Sequence, residues 1–139
     1  YQGKSEHVAA MEKAIESQVE AMKNNDFITF LEEDDHFHST IFSAIGLQRI
    51  WSIIKAQGGN HHRIRLLSFY EKNALSNIIE QHQNMVEALK SKQLDVMLSL
   101  EDKHLSKLLQ ETESMVARYP SYFKHETSYS GLQLRVVNQ

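Results

Sequence analysis

Four residues in this chain pair a reactive side-chain type with a position that demands an explanation: Asp34, His38, His82 and His104. Asp34 and His38 lie one helical turn apart within the stretch Phe27 to Phe42. Read at helical period, positions 27, 30, 31, 34, 37, 38, 41, 42 and 45 share one face, and all but Asp34 and His38 are Phe, Leu or Ile. A carboxylate and an imidazole inside an apolar stripe must be paired, hydrogen-bonded or bound to a metal, because burying them bare is costly. His82 interrupts a second stripe of Leu75, Ile78, Ile79, Met85, Val86 and Leu89. His104 sits in the middle of a third, with Met97, Leu100, Leu108 and Met115. Three imidazoles and a carboxylate suit one divalent transition metal, Zn²⁺ first, with Ni²⁺, Mn²⁺ or Fe²⁺ as alternatives. The i, i+4 pair is a natural chelating unit. Taken singly, each group also has a plain reading, a core histidine satisfied by hydrogen bonds or a buried Asp34–His38 pair. Four such groups at stripe centres on three helices favour a shared site.

The remaining histidines read differently. His36 and Asp35 point away from the Asp34/His38 face, and His7 and His125 lie near the ends, so all four read as solvated. His61 and His62 are left open, since either could line the same cavity. Histidine is abundant, eight in 139 residues, whereas cysteine is absent, which excludes thiolate sites, disulfides and cysteine nucleophiles. Apolar residues make up 41% and charged residues 24%, with a net charge of −3 and no Lys/Arg block. That composition is ordinary for one soluble globular domain and lacks the basic footprint of a nucleic-acid-binding face. No apolar run is long enough to span a membrane and no signal peptide is evident, so no membrane partner is expected and the default compartment is the cytoplasm.

The elements that must carry these groups read as successive helices, an all-α antiparallel bundle of about five to six helices around a central cavity where a metal could sit. Gly and Pro total six, and Pro120 is the sole proline. Ser5 is a candidate N-cap for a first helix with Val8, Met11, Ile15, Val19 and Met22 in register. Asn24-Asn25-Asp26 makes a turn with a capping aspartate before the Asp34/His38 helix, which Gly46 ends. A third helix opens at Leu47 with Ile50, Trp51 and Ile54 on one side. Gly58-Gly59-Asn60 either breaks it or forms a weak middle, because the face resumes through His61, Ile64 and Arg65. A fourth helix spans about Asn73 to Lys90, and after Ser91-Lys92 a fifth spans about Leu94 to Arg118, stopped by Tyr119-Pro120. The tail to Gln139, with an apolar patch at Leu132–Val137, is a short helix or a segment that packs on a neighbour. Helices joined by short turns pack antiparallel, which brings their midpoints to similar depth, so the four groups can meet.

Asp34-x-x-Phe37-His38, then His82 within Glu80-Gln81-His82-Gln83-Asn84-Met85-Val86, then His104-Leu105, resembles the FCD domain, the all-helical ligand-binding domain of FadR-subfamily GntR transcription regulators. The closing Ala117-Arg118-Tyr119-Pro120-Ser121-Tyr122-Phe123 is similar to that family's ending. The resemblance spans about residues 5–124. It implies that Asp34, His38, His82 and His104 bind one divalent metal, with a small organic acid completing its coordination. It makes residues 1–139 a single helical effector-sensing domain that lacks the winged-helix DNA-binding domain and first sensor helices of such regulators. Operator DNA would then be contacted only through a domain absent from this chain, in a homodimer. The chain departs from many members at Gly46-Leu47, where they carry Asn after the glycine.

A cation is then needed for the rest of the effector's charge. Arg65, on the inward path of the third helix, is the candidate, with Arg63 behind it; a solvated surface arginine is the alternative for both. The rival function is a helical-bundle metal-dependent hydrolase or oxygenase using the same three-His, one-Asp site. Such an enzyme needs a general base, and the interior stripes offer no spare Glu or Asp, since Glu32, Glu33 and Asp35 fall off them. A purely structural bundle whose polar groups pair with one another is a third reading. The first reading, a sensor and not an enzyme, is the one the sequence favours.

Overall fold

Apolar stripes at helical spacing and a near absence of breakers produce an all-α bundle. The computed structural model describes residues 5–56 and 59–122, apart from the side chains of residues 59–61, 108, 109 and 111–113. The helices are α1 (Ser5–Lys23), α2 (Phe27–Ala44), α3 (Gln48–Ala56), α4 (Gly59–Ser68), α5 (Ala74–Lys90) and α6 (Leu94–Arg118), followed by a 3₁₀ turn at Pro120–Tyr122. The two glycine-flanking segments are therefore separate helices, with residues 57 and 58 outside the description. Also outside it are His125, the Leu132–Val137 patch, and the side chains of His61 and Leu108. Among the described residues no helix is long and apolar enough to cross a membrane.

Three helix ends share one device. The amide of Asp26 donates to Ala21 O, that of Leu47 to Phe42 O and that of Gln93 to Ala88 O, each reaching back five residues. Each closure follows a residue of positive φ: Asn25 at 53°, Gly46 at 75° and Lys92 at 56°. This is the Schellman termination, which satisfies orphan carbonyls and turns the chain sharply. Glycine takes that conformation freely and asparagine tolerates it, whereas Lys92 is strained there. At the start of α2, Asp26 caps the helix by accepting from the Thr29 amide at 3.0 Å and the Thr29 hydroxyl at 2.7 Å. These contacts hold its carboxyl below the usual carboxylate range.

The tight turns fold α2 back on α1 and α6 back on α5, while α1 also lies against α5. Met11, Phe30, Phe37, Met85 and Met97 are fully buried at the junction. Phe69, just after α4, meets Phe30 edge-on at 5.1 Å between ring centroids. Helix α3 departs from its sequence pattern. Ile50, Ile53 and Ile54 remain exposed at 45%, 61% and 41%. Trp51 makes its chief ring contact with Phe42, at 5.5 Å. An apolar stripe marks a face suited to burial, but only a neighbour can bury it.

Truncating Phe30 to Ala should lower stability by about 3–5 kcal/mol through lost transfer energy plus a cavity. Lys92→Gly should raise it by about 0.5–1 kcal/mol by relieving the left-handed strain. Urea unfolding followed by far-UV circular dichroism measures both, and a neutral Phe30→Ala would contradict the described core.

Candidate metal centre

Helix α2 buries a wider arc than its stripe foretold. Asp34 and His38 face inward with Phe30, Phe37 and Ile41, but Asp35 and Thr40 are buried too. Helix α5 brings in His82, fully buried, and α6 brings in His104, half-buried. Each of Asp34, His38, His82 and His104 presents one donor atom within 4.8 Å of the others. The imidazole centroids stand 5.2 Å apart for His38–His82, 5.1 Å for His38–His104 and 4.9 Å for His82–His104. Phe37 stacks on His82 at 3.9 Å and 10°, which fixes that ring's plane.

The hydrogen bonds behind the rings decide which nitrogen faces the cluster. Gln18, fully buried on α1, donates through Nε2 to Asp34 Oδ1 at 3.3 Å. A carboxylate only accepts, so this contact sets the amide's orientation and turns its oxygen to His82. His82 Nδ1 then carries the proton and donates to Gln18 Oε1 at 2.8 Å. His38 Nδ1 donates to Glu101 Oε1 at 2.9 Å, and His104 Nδ1 to Gln81 Oε1 at 2.5 Å. With all three Nδ1 atoms committed, the Nε2 lone pairs are the ones left for the cluster. His82 Nε2 is buried, 3.4 Å from Asp34 Oδ1, and has no hydrogen-bond partner among the described residues. A lone pair facing a carboxylate oxygen at that separation calls for a cation between them. The donor set therefore fits a divalent metal ion.

Charge points the same way. The carboxyl and guanidinium side chains among the buried described residues are Asp34, Asp35, Glu101 and Arg65. Three buried carboxylates face one buried guanidinium, with His62 and Lys55 answering Asp35 from the outer side. Burial resists ionisation of Asp34, yet His38, Arg65, His82 and His104 together hold its carboxyl far below the usual range. Burial also opposes protonation of His38, but the bond to Glu101 and the charge of Asp34 raise its pKa. Burial depresses His82 well below the ordinary imidazole value, and burial with the charge of His38 lowers His104 to about 4. Two of the three imidazoles are thus neutral near pH 7, the form a metal requires.

Arg65 bridges the adjacent carboxylates, donating Nη2 to Asp34 Oδ2 and Nη1 to Asp35 Oδ1, the latter at 2.6 Å. Asp35 also accepts from His62 Nε2 at 3.1 Å. Asp35 is therefore not solvated: helix α4 packs along that flank of α2, and no pattern within α2 could show it. His36 is exposed as expected, whereas His7 is half-buried with its Nδ1 shielded from water. Arg63 is exposed, because two helical positions from Arg65 lies about 200° around the axis. A pocket of about 440 Å³ is bordered by Asp34, His38, Arg65, Glu101 and His104, with Trp51 and Ile78 among its apolar walls.

The interior does hold further carboxylates, contrary to expectation, in Asp35 and Glu101. Glu101 and Gln18 are functional neighbours that the stripes of the sequence do not single out, although both carry a signal. Gln18 is one turn beyond Ile15 on the buried face of α1, and Glu101 lies one turn before His104 on the face of Met97. A family model described as the FCD domain matches residues 2–119. No curated protein and no solved structure matches the chain.

Arg65→Met should destabilise the metal-free protein by about 3–5 kcal/mol, because it strands two buried carboxylates. Combining it with Asp35→Asn should recover part of that loss. A change below about 1 kcal/mol in urea unfolding would show that the bridge is not held in solution.

Proposed function

Because this chain belongs to the FCD domain family, whose members are ligand-binding domains of GntR-type transcription regulators, we propose that it senses a small organic acid through a protein-held divalent metal. Asp34, His38, His82 and His104 are the ligands in this reading. The observation that carries it is the set of three committed Nδ1 atoms, which leaves the three Nε2 atoms to serve the cluster beside Asp34. When bound, such an ion offers open coordination positions to the carboxylate of an effector. Zn²⁺ is the first choice for this donor set, with Ni²⁺, Mn²⁺ and Fe²⁺ able to occupy it according to supply.

The chain's own residues do the rest. Arg65 borders the pocket and holds Asp34 and Asp35 together, so it supplies the nearest fixed positive charge to an entering carboxylate. Gln18 and Phe37 hold His82 from two sides, and the walls at Trp51 and Ile78 exclude water from the effector's carbon skeleton. Effector binding biases helix packing only through differential affinity for two arrangements. The α4 segment is the natural element to respond, since Arg65 and His62 both tie it to α2. In a FadR-subfamily regulator working as a cytoplasmic homodimer, that bias would reach operator DNA through winged-helix domains beyond this chain.

A metal-dependent hydrolase is the rival reading, and the buried carboxylate of Glu101 is the feature that favours it. Its Oε1 is engaged by His38, which suits a supporting role better than that of a general base.

Purified protein should bind about one divalent ion per chain by elemental analysis. His82→Ala should lose at least 90% of it, while exposed His36→Ala should retain it. Equal retention in both variants would sink the ligand assignment. With metal loaded, a panel of small carboxylates should raise the melting temperature without being consumed, and product release would favour the enzyme instead.

A further inference from the structure

Glu101 is the one carboxylate near the cluster that neither pairs with a fixed cation nor counts among the four donors. It is 9% exposed, its Oε1 accepts from His38 Nδ1, and its Oε2 is buried with no hydrogen-bond partner among the described residues. Native proteins seldom bury a half-satisfied carboxylate without a reason, because its desolvation is uncompensated. The fold offers no structural return for it. Helix α6 leans on α5 and α4, and the Glu101–His38 bond reaches across to α2 from the turn that also presents His104.

We propose that Glu101 is a positioning residue for the metal centre: it fixes His38 as the Nδ1–H tautomer and so presents Nε2 as a ligand. His38 has its own element's Asp34 at 3.7 Å from Nε2 and Glu101 at 2.9 Å from Nδ1. Without an acceptor behind Nδ1, the proton is free to settle on Nε2, where Asp34 would take it as a hydrogen bond. That tautomer closes the site to a cation. Glu101 removes the alternative, and its charge makes the imidazole a stronger donor to a metal. One turn of α6 therefore supplies a direct ligand, His104, and the hold on a second ligand carried by α2. The same logic assigns Gln18 to His82 and Gln81 to His104, but only His38 is backed by a full negative charge.

The inference rests on the metal-sensing reading, and its test separates the two. Glu101→Gln keeps an acceptor for Nδ1, whereas Glu101→Met keeps the bulk and removes the acceptor. Zn²⁺ affinity, measured by competition with a chromogenic chelator, should fall about 10–100-fold in Glu101→Met. In Glu101→Gln it should stay within a few-fold of the parent. Long-range ¹H–¹⁵N spectra of the metal-free proteins, recorded at a pH alkaline enough to make His38 neutral, should show it protonated at Nδ1 in the parent and in Glu101→Gln, and shifted toward Nε2 in Glu101→Met. Parent-like affinity together with an unchanged tautomer in Glu101→Met would overturn the proposal. Should Glu101→Met fail to fold, loss of the Nδ1 proton in Glu101→Gln would overturn it equally. If the parent itself binds no metal, the sensing reading fails, and the tautomer spectra still decide what Glu101 does.

Discussion

A carboxylate almost wholly withdrawn from water governs the organisation of this protein. Asp34 sits at the middle of α2, where burial disfavours its charge, and everything around it answers that charge. Arg65 grips one oxygen, Gln18 donates to the other, and three imidazoles crowd the same side. Four helices besides its own take part: α1 through Gln18, α4 through Arg65, α5 through His82 and α6 through His104. The bundle is thus tied at its centre by polar contacts rather than by apolar packing alone. Such ties are expensive when broken on one side, which holds the helices to one arrangement.

The polar layer is graded. Closest to Asp34 lie atoms with lone pairs directed inward. Behind them lie acceptors that hold each imidazole by its far nitrogen. Farther out, Asp35 and His62 carry the network to α4. Around His82 the states are linked in turn: the Asp34 carboxylate orients the Gln18 amide, the amide orients the imidazole, and the imidazole is left with one free lone pair. Electrostatic balance follows the same plan, because the buried carboxylates outnumber the buried guanidinium. A cation held by the inward lone pairs would offset that difference. The pocket bordered by Arg65 then provides room for an anion that such a cation attracts.

Around this centre the scaffold is economical. Three Schellman closures, at Asn25, Gly46 and Lys92, reverse or redirect the chain within a few residues and keep helix midpoints level. Level midpoints are what allow residues at positions 18, 34, 82 and 104 to meet at all. The tightest turns are held by backbone bonds, so the side chains of the helices remain available for the interior. The exposed isoleucines of α3 are the exception, an apolar face that the described neighbours do not cover.

Much of this was legible in the order of residues. Helical period together with the scarcity of glycine and proline dictated the helices and nearly all of their ends. Single polar residues inside apolar stripes picked out Asp34, His38, His82 and His104, because one-dimensional periodicity reports which face is turned inward. What periodicity cannot report is what stands opposite. Gln18 and Glu101 lie on inward faces of helices distant in sequence from His82 and His38, and their value comes from pairings across 64 and 63 residues. The burial of Asp35 and the division of labour between Arg65 and Arg63 depended on which flank of α2 receives α4. Those choices belong to the packing of helices against one another, where burial, charge and hydrogen-bond direction are settled together. A sequence read one helix at a time determines the faces; only the assembled bundle decides their partners.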